Sequence, residues 1–253
     1  GGIEANKNYP GDFILENIKI QTNVIENSWK SGVKRFLFLG SSCIYPKMAL
    51  QPIKEEYLLN GPLEKTNEPY AIAKIAGIKL CSSLKKQYGF NAISLMPTNL
   101  YGPGDNYNYQ ESHVMAALIR KFYEAKKNNT ETVKCWGTGS PLREFMHVDD
   151  LANAIYKILK LPQIKIRKIL KSEYPLINVG SGESISIKNL AKMIKKILRF
   201  ENKIVFDNKF PDGTKIKNLD SKILKKFNWK PKIKLYHGLR KVINHRIKYV
   251  KKK

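Results

Sequence analysis

The sequence lacks any long apolar segment, since no run approaches the roughly 18 apolar residues that a membrane-spanning helix needs. Its first residues, Gly1 to Glu4, contain neither the basic region nor the apolar core of a secretory signal. The only cysteines, Cys43, Cys81 and Cys135, are odd in number and have no metal-ligand spacing. We therefore expect no membrane span, no disulfide framework and no metal, and a location in the reducing cytoplasm.

Acidic residues are also scarce. The chain has 21 Asp and Glu and 46 Lys and Arg, which gives a formal net charge of +25. An excess of this size can indicate a polyanionic partner such as nucleic acid. The lysines are spread over many segments, however, and no recognised nucleic-acid motif is present. We therefore expect no nucleic-acid partner, although a positive field would help to attract an anionic nucleotide.

What the chain does contain is an alternation of apolar runs with helical patterns, which predicts βαβ units and a mostly parallel sheet in an α/β fold. The segments 47–66, 101–110 and 161–175 are expected to be irregular. The predicted strands are 33–39, 92–96, 133–136, 176–180 and 204–206. The predicted helices are 12–30, 67–88, 112–127, 149–160, 186–198, 220–227 and 236–249.

A candidate reactive group follows the first strand and continues on the next helix. Ser41 lies just beyond the apolar run 36–39, and Cys43 would share its face if the strand continued that far. Tyr70 and Lys74 are four residues apart and share a helix face. A nearby ammonium should lower the pKa of a phenol, and Ser41 can hold a substrate carbonyl beside it. A Tyr-x-x-x-Lys pair alone is common by chance, but this combination favours carbonyl redox chemistry with a nicotinamide.

Several motifs resemble one family, the GDP-L-fucose synthases of the extended short-chain dehydrogenases/reductases. The resemblance extends from Gly1 essentially to the end of the chain. The matching stretches are LGSSCIYPK at 39–47, TNEPYAIAKIAG at 66–77, MPTNLYGP at 96–103, SHV at 112–114 and REFMHVDD at 143–150.

The resemblance implies an NADPH-dependent enzyme that inverts C3 and C5 of GDP-4-keto-6-deoxy-D-mannose and reduces C4 to give GDP-L-fucose. It implies Cys43 and His113 as the acid–base pair for epimerisation, since a thiol and an imidazole both titrate near neutral pH. Tyr70, with Lys74 and Ser41, would supply the proton for reduction. Without the resemblance, Cys43 would be interpreted as a small residue of the core, and His113 as a helix cap or a surface residue.

The resemblance also implies two sets of binding residues. The residues expected along NADPH are Leu39, Gly40, Ser41, Ser42, Lys74, Pro97, Thr98, Asn99, Leu100 and His113. The residues expected to contact the GDP-sugar are Lys121, Trp136, Arg143 and Asp212, with Lys217 as a weaker candidate. The family carries Arg at the position of Lys121, and Lys cannot make the same bidentate phosphate contact. Arg143 suits a pyrophosphate.

The expected architecture is a partial Rossmann-like sheet with a smaller α/β substrate domain. The nucleotide domain would comprise 1–102 and 144–180, and the substrate domain 103–143 and 181–253. The glycine-rich opening of a dinucleotide fold is not found, so we expect the first strands and this motif to be missing from the chain. A separate chain that supplies them is one expected partner. A homodimer is expected from the resemblance.

Two alternatives to this function stay open from the sequence. One is an inactive or split fragment that retains only nucleotide-sugar binding. The other is an epimerase or dehydratase that acts on a different nucleotide sugar.

Overall fold

The structure is a computed structural model, and it describes residues 2–109, 111–170, 172, 174–210 and 212–251. The helices are α1 (Ile3–Asn8), α2 (Pro10–Lys30), α3 (Glu68–Tyr88), α4 (Val114–Lys127), α5 (Val148–Lys160), α6 (Gln163–Ile169), α7 (Ile187–Leu198), α8 (Lys222–Lys226) and α9 (Leu235–Lys251). The strands are β1 (Phe36–Leu39), β2 (Ala92–Pro97), β3 (Asn99–Tyr101), β4 (Thr132–Trp136), β5 (Leu142–His147), β6 (Leu176–Val179), β7 (Ser184–Ser186), β8 (Lys203–Asp207) and β9 (Ile216–Lys217).

The first sheet is parallel throughout and has the order β1-β2-β6. Phe36 is in register with Ala92, and Ser94 with Leu176. All four residues of β6 are buried, as expected for an apolar run covered on both faces. Because the strands are parallel, their carboxyl ends meet at one edge of the sheet, and this edge carries the candidate site.

A second sheet joins β3, β5, β7 and β9 around the central strand β5. β5 runs parallel to β3 and β9 and antiparallel to β7. β4 and β8 form a separate parallel pair. The α/β prediction with mostly parallel strands is confirmed, whereas the division into two domains is not tested and stays a prediction.

The long helices α2 and α3 pack against each other beside β1. α3 has Pro69 in its first turn and ends at Gly89 in the left-handed region, which are the residue preferences of helix termini. The Trp29 and Tyr88 rings stack at a centroid distance of 4.5 Å where the two helices end. The pair α2–α3 therefore fixes the helix face that carries Tyr70 and Lys74. Among the described residues, no helix is both long and apolar enough to cross a membrane.

Several predicted elements differ from the structure. β1 begins at Phe36 and not at residue 33, and it ends at Leu39, so Ser41 and Cys43 do not share a strand face. A 3₁₀ turn, Ser42–Ile44, follows it. The basic segment expected to be irregular contains α6. β5 was not predicted, because its residues run without a break into the start of α5.

The motif at 143–150 leads from β5 into α5. His147 is the N-cap of α5, because its Nδ1 accepts a hydrogen bond from the Asp149 amide at 3.2 Å. Asp150 accepts from the amides of Lys232 and Ile233, each at 3.0 Å. Asp150 therefore joins α5 to the segment before α9.

Glu144 on β5 is 1 % exposed and joins three segments of the chain. Its carboxylate accepts from the Gly182 amide at 2.6 Å and from the Leu219 amide at 3.0 Å. Burial raises the pKa of Glu144, and the backbone amides oppose this shift. A Cβ at Gly180 would lie 2.4 Å from the same carboxylate, so only glycine fits where β6 ends.

We expect Glu144→Gln to lower the free energy of unfolding by about 1–3 kcal/mol, measured by urea denaturation at neutral pH. Gln keeps one acceptor oxygen, so its amide nitrogen would face a buried backbone N–H that loses its partner. The exposed neighbour Glu183 provides the matched control, and Glu183→Gln should change stability little. Equal effects of the two substitutions would contradict this role for Glu144.

Candidate active site

The turn after β1 places Ser41 and Cys43 at the carboxyl edge of the first sheet. Ser41 precedes the 3₁₀ turn, and its Oγ accepts a hydrogen bond from the Cys43 amide at 3.2 Å. The turn is anchored by the buried Tyr45, whose hydroxyl donates to Asn178 Oδ1 at 2.6 Å. β1 and β6 thus hold the reactive turn between them.

The Cys43 thiol is partly buried and accepts two hydrogen bonds from side chains. Asn67 Nδ2 donates to Sγ at 3.1 Å, and Lys217 Nζ lies 3.5 Å from Sγ. Burial by itself would raise the pKa of Cys43. The Lys217 charge and the hydrogen bonds from Ser41, Lys217 and Asn67 outweigh it, so this pKa is lowered. This is the environment of a reactive cysteine.

Tyr70 and Lys74 face the same turn from α3. Burial, together with the charge of Cys43, raises the pKa of Tyr70 to about 12, and a hydrogen bond with Ser41 opposes the rise. The expectation of a lowered Tyr70 pKa is therefore wrong for this structure. The Lys74 ammonium is 5.8 Å from the centre of the Tyr70 ring, and its own pKa is lowered by burial.

The chemistry of the donors at this edge fits a nicotinamide cofactor. Lys74 Nζ donates to the Leu39 carbonyl at 3.2 Å, and an ammonium has three donors, which leaves capacity for ribose hydroxyls. β1 and β2 are neighbours, so the stretch from Leu39 to Ser42 lies beside the stretch from Pro97 to Leu100. The latter is fixed by Thr98 Oγ1 and Asn99 Nδ2, which both donate to the Glu144 carbonyl.

His113 is the N-cap of α4, and its side chain is exposed and makes no capping hydrogen bond. Desolvation lowers its pKa, and Asp105 opposes this shift. No hydrogen bond among the described residues joins His113 to Cys43. Beside His113, the amide of Gly2, the residue before α1, donates to the Glu111 carbonyl at 2.8 Å, and α1 contacts the turn that holds Asn67. The pairing of His113 with Cys43 stays a prediction.

The residues expected to contact the GDP-sugar lie together in a second group. The Lys121 ammonium is 4.9 Å from the Trp136 ring centre, and Asp212 accepts from the Thr138 hydroxyl at 2.6 Å. Arg143 donates to the Thr214 carbonyl at 2.6 Å. Desolvation lowers the pKa of Arg143, and the charge of Asp212 opposes this shift.

The two groups of residues meet at β5 and β9. Arg143 is in register with Lys217, and Lys217 reaches the thiol of Cys43. The sequence reasoning did not find Asn67 as a thiol partner, although Asn67 is three residues before Tyr70. It also missed Phe210, whose ring stacks on Trp136 at 4.5 Å with an interplanar angle of 11°. Among the described residues, no group of three or more His, Cys, Asp or Glu could hold a metal ion.

Comparison with known proteins shows the family to which the chain belongs. Residues 1–180 match the NAD dependent epimerase/dehydratase family. A protein named "Probable GDP-L-fucose synthase 1" from Oryza sativa subsp. japonica is 53 % identical over 240 residues, covering 94 % of this chain and 70 % of the relative. The chain belongs to the GDP-L-fucose synthase family. The resemblance seen in the sequence motifs is thereby confirmed.

Solved structures of similar proteins agree with this family. A GDP-L-fucose synthetase from Naegleria fowleri bound to NADP matches with a TM-score of 0.86 at 27 % identity, covering 96 % of this chain and 75 % of that one. A GDP-6-OMe-4-keto-L-xylo-heptose reductase from C. jejuni matches with a TM-score of 0.87 at 37 % identity, covering 98 % and 79 %. The nicotinamide cofactor expected from the sequence agrees with the NADP of the first of these structures.

Proposed function

We propose that this protein converts GDP-4-keto-6-deoxy-D-mannose to GDP-L-fucose, by epimerisation at C3 and C5 and NADPH-dependent reduction at C4. Family membership supports this substrate and cofactor. The observation that carries the proposal is the position of Ser41, which interacts with both the Cys43 thiol and the Tyr70 phenol. Cys43, which would act at the carbons next to the ketone, and Tyr70, which would act at the ketone oxygen, therefore lie within one site.

Epimerisation begins with a proton next to the C4 ketone, which is acidic because the electron pair left on carbon moves onto the carbonyl oxygen as an enolate. The Cys43 thiolate takes this proton and becomes a thiol. His113 then returns a proton to the same carbon on the opposite face, and the enolate collapses to the ketone. Exchange with solvent then removes the proton from Cys43 and returns one to His113, and the same steps at the second carbon complete the double inversion.

Reduction uses the other half of the site. Tyr70 donates its hydroxyl proton to the C4 oxygen, and Ser41 holds that oxygen in place. NADPH supplies the hydride when it is bound. Lys74, Leu39 to Ser42 and Pro97 to Leu100 would hold its nicotinamide and ribose, since these residues line the edge formed by β1 and β2.

Substrate binding is assigned to the second group of residues. Lys121, Arg143 and the positive net charge favour a pyrophosphate, and the Trp136 ring offers a flat surface to the sugar or base. Asp212 holds the turn at Thr138 through its amide, at 3.0 Å, and through its hydroxyl.

We also propose a homodimer that forms through α2 and α3. The apolar residues Leu15, Ile18, Ile20 and Val24 on α2 and Ile72 on α3 are exposed, which supports a partner that contacts these two helices. Cytoplasmic location is part of the proposal and is supported by three free cysteines.

The proposal is tested by incubating the protein with GDP-4-keto-6-deoxy-D-mannose and NADPH in D₂O. We expect deuterium at C3 and C5, oxidation of NADPH and formation of GDP-L-fucose, all detected by NMR and absorbance. Nucleotide-sugar binding without exchange or NADPH oxidation would favour an inactive binding protein.

A reductase or epimerase for another nucleotide sugar is the second candidate, and the similarity to the heptose reductase from C. jejuni favours it. In the same experiment, reduction without deuterium incorporation would identify a reductase alone. Faster turnover of a GDP-4-keto-heptose than of the 6-deoxy sugar would identify a different substrate.

A further inference from the structure

Lys217 approaches the Cys43 thiol from a distant part of the chain. Its Nζ lies 3.5 Å from Sγ, and the two residues are separated by 174 positions in sequence. Lys217 ends the short strand β9, whose partner β5 is the central strand of its sheet. Because Lys217 lies in a strand, the sheet holds its backbone in place. Its contact with Cys43 therefore does not depend on the conformation of a surface loop.

The charged groups around this contact have other partners. Glu144 on β5 directs its carboxylate to the Leu219 and Gly182 amides. Arg143, the register neighbour of Lys217, donates to the carbonyls of Leu142 and Thr214. No ion pair among the described residues joins Lys217 to a carboxylate. The ammonium therefore acts chiefly on the sulfur.

One other positive group faces this turn, the Lys74 ammonium on α3, and it donates to the Leu39 carbonyl at 3.2 Å. The charge that lowers the pKa of Cys43 is that of Lys217. Ser41 in the preceding turn and Asn67 before α3 are neutral hydrogen-bonding groups. The Tyr70 phenol on α3 is neutral near pH 7, because its pKa is raised to about 12. Ser41, Asn67 and Lys217 stabilise a thiolate at this place by hydrogen bonds. Lys217 on β9 also supplies its countercharge.

We propose that Lys217 is a positioning residue that keeps Cys43 as a thiolate before substrate binds, so that the sulfur is ready to accept the proton from the sugar carbon. The inference deepens the proposed function and rests on it for the role of Cys43. A cysteine beside a lysine commonly has a lowered pKa, and an opposite charge within about 4–6 Å lowers an acid pKa by roughly 1–3 units. After proton transfer, the neutral thiol and the ammonium no longer attract, which favours release of that proton.

The test is the pH dependence of Cys43 alkylation by iodoacetamide, followed for each cysteine-containing peptide by mass spectrometry. It requires neither NADPH nor substrate. In Lys217→Met we expect the pH midpoint of Cys43 alkylation to rise by about one unit or more. Once the midpoint lies above pH 7, each further unit lowers the thiolate fraction at pH 7 about tenfold. The greater nucleophilicity of a more basic thiolate offsets part of this loss, so the rate should fall about threefold per unit.

Two other variants serve as controls. Lys217→Arg keeps the charge and should restore most of the midpoint, whereas Lys215→Met removes an exposed lysine from the same segment and should leave the midpoint unchanged. Cys81 is buried and reports folding, since its alkylation should stay slow in every variant. If Cys81 becomes reactive in Lys217→Met, that variant is replaced by Lys217→Gln, which keeps a polar side chain. The midpoint of Cys43 alkylation is then compared between Lys217→Gln and the wild type.

An unchanged midpoint in a folded Lys217→Met or Lys217→Gln protein would overturn the proposal. If that protein also binds GDP more weakly, Lys217 is a substrate ligand only. Deuterium exchange by the wild-type protein separates this inference from the proposed function. A shifted midpoint in a protein that catalyses no exchange would leave the thiol assignment standing and reject the epimerase role.

Discussion

Replacement of Cys43 by Ser should lower deuterium incorporation at C3 and C5 by roughly 10²–10⁴-fold, the usual contribution of a positioned acid or base. A serine hydroxyl keeps the size and the hydrogen bonds of the thiol but stays protonated at neutral pH, so Lys217 and Asn67 would face a group that cannot take the proton. The measurement is the initial rate of exchange in D₂O, followed by NMR.

Binding provides the control for this substitution. Cys43→Ser should leave the affinity for GDP and the free energy of unfolding nearly unchanged, because the binding residues lie around Trp136 and Arg143. His113→Asn should behave in the same way, with slow exchange and normal binding. If either variant lost nucleotide binding and exchange to an equal degree, its acid–base role would be rejected.

Replacement of Tyr70 by Phe should lower the rate of NADPH oxidation by roughly 10²–10⁴-fold, since the C4 oxygen would lose its proton donor. Exchange at C3 and C5 should fall far less, because Cys43 and its partners are kept. The ratio of the two rates, measured on the same sample, is the discriminating quantity. Similar losses of both would mean that Tyr70 acts in epimerisation as well.

The raised pKa of Tyr70 adds a pH test to this variant. Because that pKa is about 12, the phenol carries its proton throughout the neutral range and loses it only several units higher. NADPH oxidation should therefore show no loss from Tyr70 ionisation near neutral pH. Deprotonation of a tyrosine near pH 7, seen as phenolate absorbance that Tyr70→Phe removes, would contradict this.

Local patterns predicted much of the fold and the helix that carries Tyr70 and Lys74. α3 was predicted within one residue of its observed limits because its apolar spacing, Pro69 and Gly89 are local signals. The spacing of Tyr70 and Lys74 placed them on one helix face, and both are directed to the turn that holds Ser41. The buried runs of β2 and β6 were found for the same reason, since short apolar segments are bounded by turn residues.

Contacts between distant segments could not be predicted in this way. The sequence offered Lys217 only as a weak candidate for substrate, because nothing local relates β9 to the turn after β1. β5 was missed since its residues lead directly into α5, and its buried Glu144 looks like a surface residue by type. The pKa of Tyr70 was predicted in the wrong direction because burial and the Cys43 charge are properties of the fold.

The separation of 174 residues between Lys217 and Cys43 also links the chemistry to the folding process. A contact of this sequence separation has a large loop-closure entropy, so we expect it to form late in folding. During refolding, Cys43 should first react as an ordinary thiol and gain its enhanced reactivity at neutral pH only when β9 docks. The rate of Cys43 labelling therefore offers a time-resolved measure of when the last segments of this protein reach their native positions.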